Sequence, residues 1–232
     1  MRFVSGAEAA TYYETQSYRE LHGVWPEFVL HDAVSNRYWG RLEVDFPEFQ
    51  FLLVDGDRVL AEGNCVPVRG MPLQWRDAIV NAWEGDGEPD RVCALAILVT
   101  RAAQGTGLSS RMLAHMRGLA AAFGLLVAPV RPTAKTHHPH MAIDEYATLR
   151  REDGTHADPW LRTHERAGGT ILGPADEAML IEGSHAEWQE WTGLELPRDG
   201  EAIVPGALVP VRFDGGRGVY REPCVWVEHR IA

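Results

Sequence analysis

Apolar positions along the chain follow two rhythms, and they are clearest between Arg91 and Pro132. Val92–Val99 is an almost unbroken apolar run with β-branched members, as in a central strand covered on both faces. A polar, glycine-bearing stretch, Thr100–Thr106, follows. Leu108, Met112, Leu113, Met116, Leu119, Ala120 and Phe123 then recur at helical spacing. They predict a helix over Leu108–Phe123 that stops at Gly124. Leu125–Val130 reads as a second buried strand, closed by Pro132. Strand, glycine loop, helix and strand in this order predict neighbouring parallel strands joined by a right-handed crossover.

The flanks are less regular. Upstream, the spacing predicts helices over Ala7–Leu21 and Glu27–Tyr38, parted by a break at Gly23–Pro26. Phe49–Val54 and Arg58–Val66 flank Asp55-Gly56-Asp57 and predict a β-hairpin. A short helix is expected over Trp75–Trp83. Downstream, Thr133–Asp158 carries little periodicity and reads as a long excursion holding one short helix, Asp144–Arg151. Loops of that length inside compact domains are usually functional or disordered. Pro159–Ala167 predicts a helix ended by Gly168-Gly169, and Ser184 with Glu187 forms a capping box for a helix over His185–Trp191. Short strands are expected at Thr170–Leu172, Ala178–Glu182, Val209–Phe213 and Pro223–His229. The fold class is mixed α/β, with a single domain over 1–232.

Composition narrows the function classes. Of 232 residues, 45% are hydrophobic and 24% charged, average values that exclude disordered, collagen-like and coiled-coil chains. No apolar run approaches the ~20 residues a bilayer requires, and Met1–Gly6 lacks a secretory apolar core. The expectation is a cytoplasmic protein without a membrane partner. A formal charge of −11 argues against a nucleic-acid partner and mildly favours cationic or amine-bearing small molecules. Cys65, Cys93 and Cys224 are too scattered for a disulfide framework or a metal site. His137-His138-Pro139-His140 has no tetrahedral spacing, so no metal is expected. Oligomeric state is open, with a two-fold homodimer the commonest default.

Gln104-Gly105-Thr106-Gly107-Leu108-Ser109 sits between the buried strand and the long helix. Unpaired N–H groups at a helix start, with the helix dipole behind them, suit a phosphate or diphosphate. The loop lacks the Gly-Lys-Ser/Thr ending of a Walker loop, and neither the third glycine nor the acidic residue of a dinucleotide fingerprint is present. It resembles the phosphate loop of the GCN5-related N-acetyltransferase (GNAT) family, Arg/Gln-x-x-Gly-x-Gly/Ala, with Gln104, Gly107 and Ser109 in those places and Ser109 departing from the last. Val130–Lys135, Asp158–Arg162, Glu187–Gly193, Val204–Leu208 and Gly23–Phe28 resemble the GNAT-like domains of bacterial polyketide and related natural-product pathways.

The resemblance implies a mixed sheet with splayed central parallel strands flanked by helices, followed by extended C-terminal strands. It also implies acetyl-CoA as cosubstrate. Gln104, Gly105, Thr106, Gly107, Leu108 and Ser109 would then hold the diphosphate of coenzyme A, and Ile97, Leu98 and Val99 the pantetheine and thioester. Where the family places a tyrosine beside the departing sulfur, this chain has His164. Imidazole gives up a proton near neutral pH more readily than a phenol of pKa about 10. Thr133 is a candidate partner of the acyl carbonyl, and Tyr146 a spare acid. Trp25, Lys135 and Glu177 are candidate acceptor contacts, Trp25 as a wall, Lys135 toward an anionic group and Glu177 toward a cationic amine. The main expectation is acetyl transfer from acetyl-CoA to a small amine-type acceptor in secondary metabolism. Malonyl-CoA decarboxylation or acyl loading onto an acyl carrier protein is the alternative, and a non-catalytic acyl-CoA sensor a third.

Overall fold

The computed structural model describes residues 1–231. In chain order the elements are β1 (Arg2–Ser5), α1 (Gly6–Ala10), α2 (Gln16–His22), α3 (Ala33–Tyr38), α4 (Leu42–Asp45), β2 (Gln50–Asp55), β3 (Arg58–Val68), α5 (Trp75–Glu84) and β4 (Arg91–Val99). They continue with α6 (Leu108–Leu119), β5 (Leu125–Val130), α7 (Ile143–Tyr146), α8 (Pro159–Arg166), β6 (Thr170–Ser184), α9 (His185–Thr192), β7 (Gly200–Ala202), β8 (Val211–Asp214) and β9 (Arg217–Arg230).

All nine strands join one sheet in the order β1-β2-β3-β4-β5-β9-β8-β7, with β6 on the other side of β9. The β4–β5 pair is parallel, as the strand–helix–strand pattern requires, and the other pairs described are antiparallel. Alternation along β4 divides the core. Val92 and Ala94 pack with Met112, Leu113 and Met116 of α6 and Leu161 of α8. Cys93 and Leu95 face the opposite layer, with Phe28, Ile79 of α5 and Trp188 of α9. The sheet is therefore covered on both faces, which is why β4 reads as a continuous apolar run.

The structure corrects several boundaries. The expected helix over Ala7–Leu21 is two helices, because Thr15 leaves helical geometry and its side chain caps α2 through the Tyr18 N–H. The stretch expected as one helix from Glu27 to Tyr38 is a 3₁₀ turn, Glu27–His31, followed by α3. Asp32 divides them, with one carboxylate oxygen accepting from Ser35 N and the other from Leu180 N. Helix Asp144–Arg151 shrinks to Ile143–Tyr146, since Arg150 instead forms a bridge with His156. The two strands expected around Thr170 and Ala178 are one strand, β6, whose register on β9 shifts between Ile171/Gly173 and Ala175/Met179. Those irregularities break the period-2 pattern that would have shown its length. The edge strands β1 and β7 are too short to leave such a pattern.

Candidate active site

The parallel ladder between β4 and β5 is brief. It pairs Val92 with Leu126 and Cys93 with Val127, and then the strands diverge. Ala94–Val99 on one arm and Ala128–Arg131 on the other line a groove of about 870 Å³. β3 and β9 pair with the outer edges of these arms, so their inner edges have no strand partner, although the Leu95 carbonyl accepts from Trp75 Nε1 and the Val99 carbonyl from Gln104 Nε2.

The glycine loop closes one end. Gly105 and Gly107 have φ of +76° and +84°, values that L side chains rarely adopt, and the space where a Cβ would stand is empty. Gly107 caps α6, and the first bond onto its carbonyl comes from Arg111 N. The amides of Leu108, Ser109 and Ser110 therefore have no acceptor within the helix. Gln104 is tied to the strand by an Nε2–H donated to the Val99 carbonyl. Open cradle and bare amides together suit a diphosphate, and Gln104, Gly105, Gly107, Leu108 and Ser109 line this end of the groove. Thr106 is outside the lining. Its hydroxyl is turned back onto the Ala103 carbonyl at 2.6 Å.

Helix α8 forms the facing wall. Pro159 at its start fits the missing donor there, and Asp158 caps it by accepting from Trp160 N and Leu161 N. This fixes Trp160, Thr163 and His164 along the groove. The His164 ring is buried, with Nδ1 2.9 Å from Nε2 of His229 on β9. Burial pushes His164 down to about 3. The expected store of a proton on His164 at neutral pH is thus corrected, because an imidazolium there would lack solvent and a counter-charge. The ring is held neutral. Thr133 is exposed on the groove wall.

Tyr146, Lys135 and Glu177 line neither this groove nor the cavity behind it. Tyr146 donates to Asp158 Oδ2 at 3.1 Å and so braces the cap of α8. The Lys135 ammonium is fully buried and donates to the carbonyls of Leu208 (3.0 Å) and His138 (3.3 Å), pinning the excursion after β5 to the C-terminal loops. Glu177 is held between the guanidinium groups of Arg76 and Arg221. Contacts elsewhere in the fold hold each of these side chains away from the groove.

Behind the splay lies a second cavity of about 240 Å³, walled by Trp25, Trp39, Trp75, Met179, Cys224 and the half-exposed His22. It shares Trp25, Leu95, Ala96, Leu98, Pro129 and Arg131 with the groove, so the two meet where β4 and β5 separate. Trp25 stands at that junction. The polar part of the wall is a buried network. Arg131 Nε donates to Glu222 Oε1 at 2.8 Å, Tyr220 Oη donates to Glu222 Oε2 at 2.8 Å, and Tyr220 Oη accepts from Leu208 N. Sequence reasoning missed Arg131, Glu222 and His22 as site residues. His22 meets Glu62 from 40 positions away and Arg131 meets Glu222 from 91, and no local spacing signals such pairs.

No protein-family model matches the chain. The arginine N-acetyltransferase avaD of Aspergillus versicolor is 32% identical over 252 residues, covering 91% of this chain and 87% of that protein. The chain belongs to the GNAT superfamily. Among solved structures, the GNAT-like loading domain of CurA from Lyngbya majuscula superposes with a TM-score of 0.63 at 16% identity, covering 99% of this chain and 98% of that one. The GphF GNAT-like decarboxylase with isobutyryl-CoA gives 0.59 at 13% identity, with 100% of both chains covered. An aminoglycoside 6'-N-acetyltransferase complexed with coenzyme A gives 0.51 at 12% identity, with 100% and 98% covered. The GNAT fold expected from the phosphate loop is thus the fold observed, and this GNAT is an acyl-CoA-dependent N-acyltransferase. No helix among the described residues is long and apolar enough to cross a membrane.

Proposed function

We propose that this GNAT transfers an acetyl group from acetyl-CoA to a nitrogen of a small cationic acceptor of the arginine type. The observation that carries the reading is the cavity of about 240 Å³ opening onto the groove at the splay. It has room for an amino-acid-sized molecule. Its indoles, Trp25, Trp39 and Trp75, offer negative faces to a cation, while the Glu222 carboxylate in the same wall is already paired with Arg131 and Tyr220. The arginine N-acetyltransferase relative supports the same acceptor class.

Acetyl-CoA supplies an activated acyl carbon and a thiolate leaving group. The chain's part is positioning and polarisation. Amides of Leu108–Ser110 hold the diphosphate, and the free edge of Ile97, Leu98 and Val99 aligns the thioester and polarises its carbonyl. In the tautomer where His229 Nε2–H donates to His164 Nδ1, the His164 proton sits on Nε2 and can meet the departing sulfur. Thr133 supplies a hydroxyl to the acyl side, and Trp25 separates donor from acceptor.

The test is to incubate the purified protein with acetyl-CoA and L-arginine, agmatine or L-lysine, following free thiol and product mass, with malonyl-CoA in parallel. Acetylated product from a cationic amine is expected. Conversion of malonyl-CoA to acetyl-CoA with no amine acetylated would replace this reading with decarboxylation.

A further inference from the structure

We propose that His22 is the base that takes the proton from the acceptor nitrogen, with Glu62 as its positioning residue. The inference rests on the N-acetyltransferase reading above and assigns a role that reading leaves empty. A cationic nitrogen cannot attack a thioester until it loses a proton.

Titratable side chains on the cavity wall are few: His22, Arg131, Glu222 and Cys224. Both Glu222 oxygens are occupied, by Arg131 and Tyr220. Arg131 remains protonated, and burial pushes the Cys224 thiol up, away from the thiolate. His22 alone has a ring nitrogen to spare. Its Nε2 lies 2.8 Å from Glu62 Oε2, leaving Nδ1 as the nitrogen not engaged by the carboxylate.

Position supports the role. Glu62 on β3 is the cross-strand partner of Leu98 on β4, and Leu98 lines both the groove and the cavity. The dyad therefore sits over the stretch of β4 where the thioester end of the groove meets the acceptor. Glu62 is buried and also accepts from Asn64 Nδ2, which fixes its carboxylate. The other groups facing the dyad are Tyr18 on α2, its ring 4.5 Å from that of His22, Glu43 on α4 and Tyr13 between α1 and α2. Glu62, by its contact with the ring, lifts His22 above the ordinary imidazole range, with Glu43 adding to it.

Protons balance as follows. The ammonium acceptor gives one proton to His22 Nδ1, and the neutral nitrogen forms the N–C bond as the C–S bond breaks. Of the two protons left on the attacking nitrogen, one ends on sulfur, giving free thiol, and the other stays in the amide product. His22 returns its proton to water on its exposed side, where 40% of the side chain is accessible.

The experiment measures kcat/KM against pH for wild type, His22→Gln and Glu62→Gln with acetyl-CoA and L-arginine, agmatine or L-lysine, together with acetyl-CoA affinity and Tm. Wild type should gain activity as pH rises through the His22 pKa. His22→Gln should lose about 100-fold near neutral pH and recover at alkaline pH, where water deprotonates the acceptor, with acetyl-CoA affinity unchanged. Glu62→Gln should move the acid limb to lower pH, because the carboxylate that raises the imidazole is gone. A merely structural role would lower the rate without moving that limb. An active His22→Gln with rate within about threefold of wild type and the same pH limb would overturn this assignment alone. A wild type that acetylates none of the three amines would overturn the acetyltransferase reading and this inference with it.

Discussion

His164 Nδ1 and His229 Nε2 meet at 2.9 Å across the wall between α8 and β9, so two buried imidazoles share one hydrogen bond. One ring must donate and the other accept, which requires both to be neutral or at most one charged. Burial pushes His164 down to about 3 and His229 to about 4, the latter also under the influence of Arg117. Gly169 fixes the geometry behind them, since a Cβ there would stand 2.7 Å from the His229 ring. The pair orients the groove wall by staying uncharged.

This gives stability a definite pH dependence. Both folded values lie below the unfolded imidazole value of about 6.5. The unfolded chain therefore binds more protons between about pH 4 and 6.5, and stability falls as pH drops through that window. Thermal melts from pH 7.5 to 4.5 should show a declining Tm for wild type and a shallower decline for His229→Asn. Parallel curves for the two proteins would refute the neutral pair.

Gly107 has φ of +84° at the head of α6, and no atom stands within 4 Å of its absent Cβ. Gly107→Ala should fold, with a strain of about 1 kcal/mol from the left-handed backbone. The added methyl would project toward the open side of the loop, where a diphosphate must approach. Isothermal titration with coenzyme A should show affinity reduced by about tenfold or more, with amine KM little changed. Equal affinity in both proteins would separate the loop from diphosphate binding.

Arg131 and Glu222 are both largely buried, and Glu222 is also bonded to Tyr220. Removing one member of such a pair leaves a charge without its partner, at a cost of about 3–5 kcal/mol. Glu222→Ala should therefore lower Tm substantially and weaken acceptor binding. The double variant Arg131→Met with Glu222→Leu should regain much of the stability while remaining poor at binding a cationic acceptor. Urea melts combined with acceptor KM would distinguish the two effects, and a double variant no more stable than the single would contradict the argument.

The strand–loop–helix–strand unit was legible because its side chains obey one period at a time. Leu108, Met112 and Met116 mark a helix face, and Val92 through Val99 are covered on both sides. The capping box of Ser184 and Glu187 is present at the head of α9, as their spacing requires. Legibility ended where burial depends on distant partners. Lys135 stands out by type as the sole lysine, yet its ammonium is spent on Leu208 and His138 carbonyls. Glu177 looked free to meet an amine and is instead paired with Arg76 and Arg221. His22 reaches Glu62 only after α2 packs on β3, and Arg131 reaches Glu222 only after β5 and β9 pair. Residue types announce such chemistry; the sheet decides which of them can perform it.

Strand β9 is hydrogen-bonded to β5, β6 and β8, and it carries both His229 and Glu222. Until β9 is in place, the edges of β5, β6 and β8 that it pairs have no partner. Only when Arg217–Arg230 has emerged can the halves be stitched together. A chain lacking β9 would expose three adhesive strand borders at once, those of β5, β6 and β8, so loss of this strand is expected to lead to aggregates rather than to a partly working enzyme.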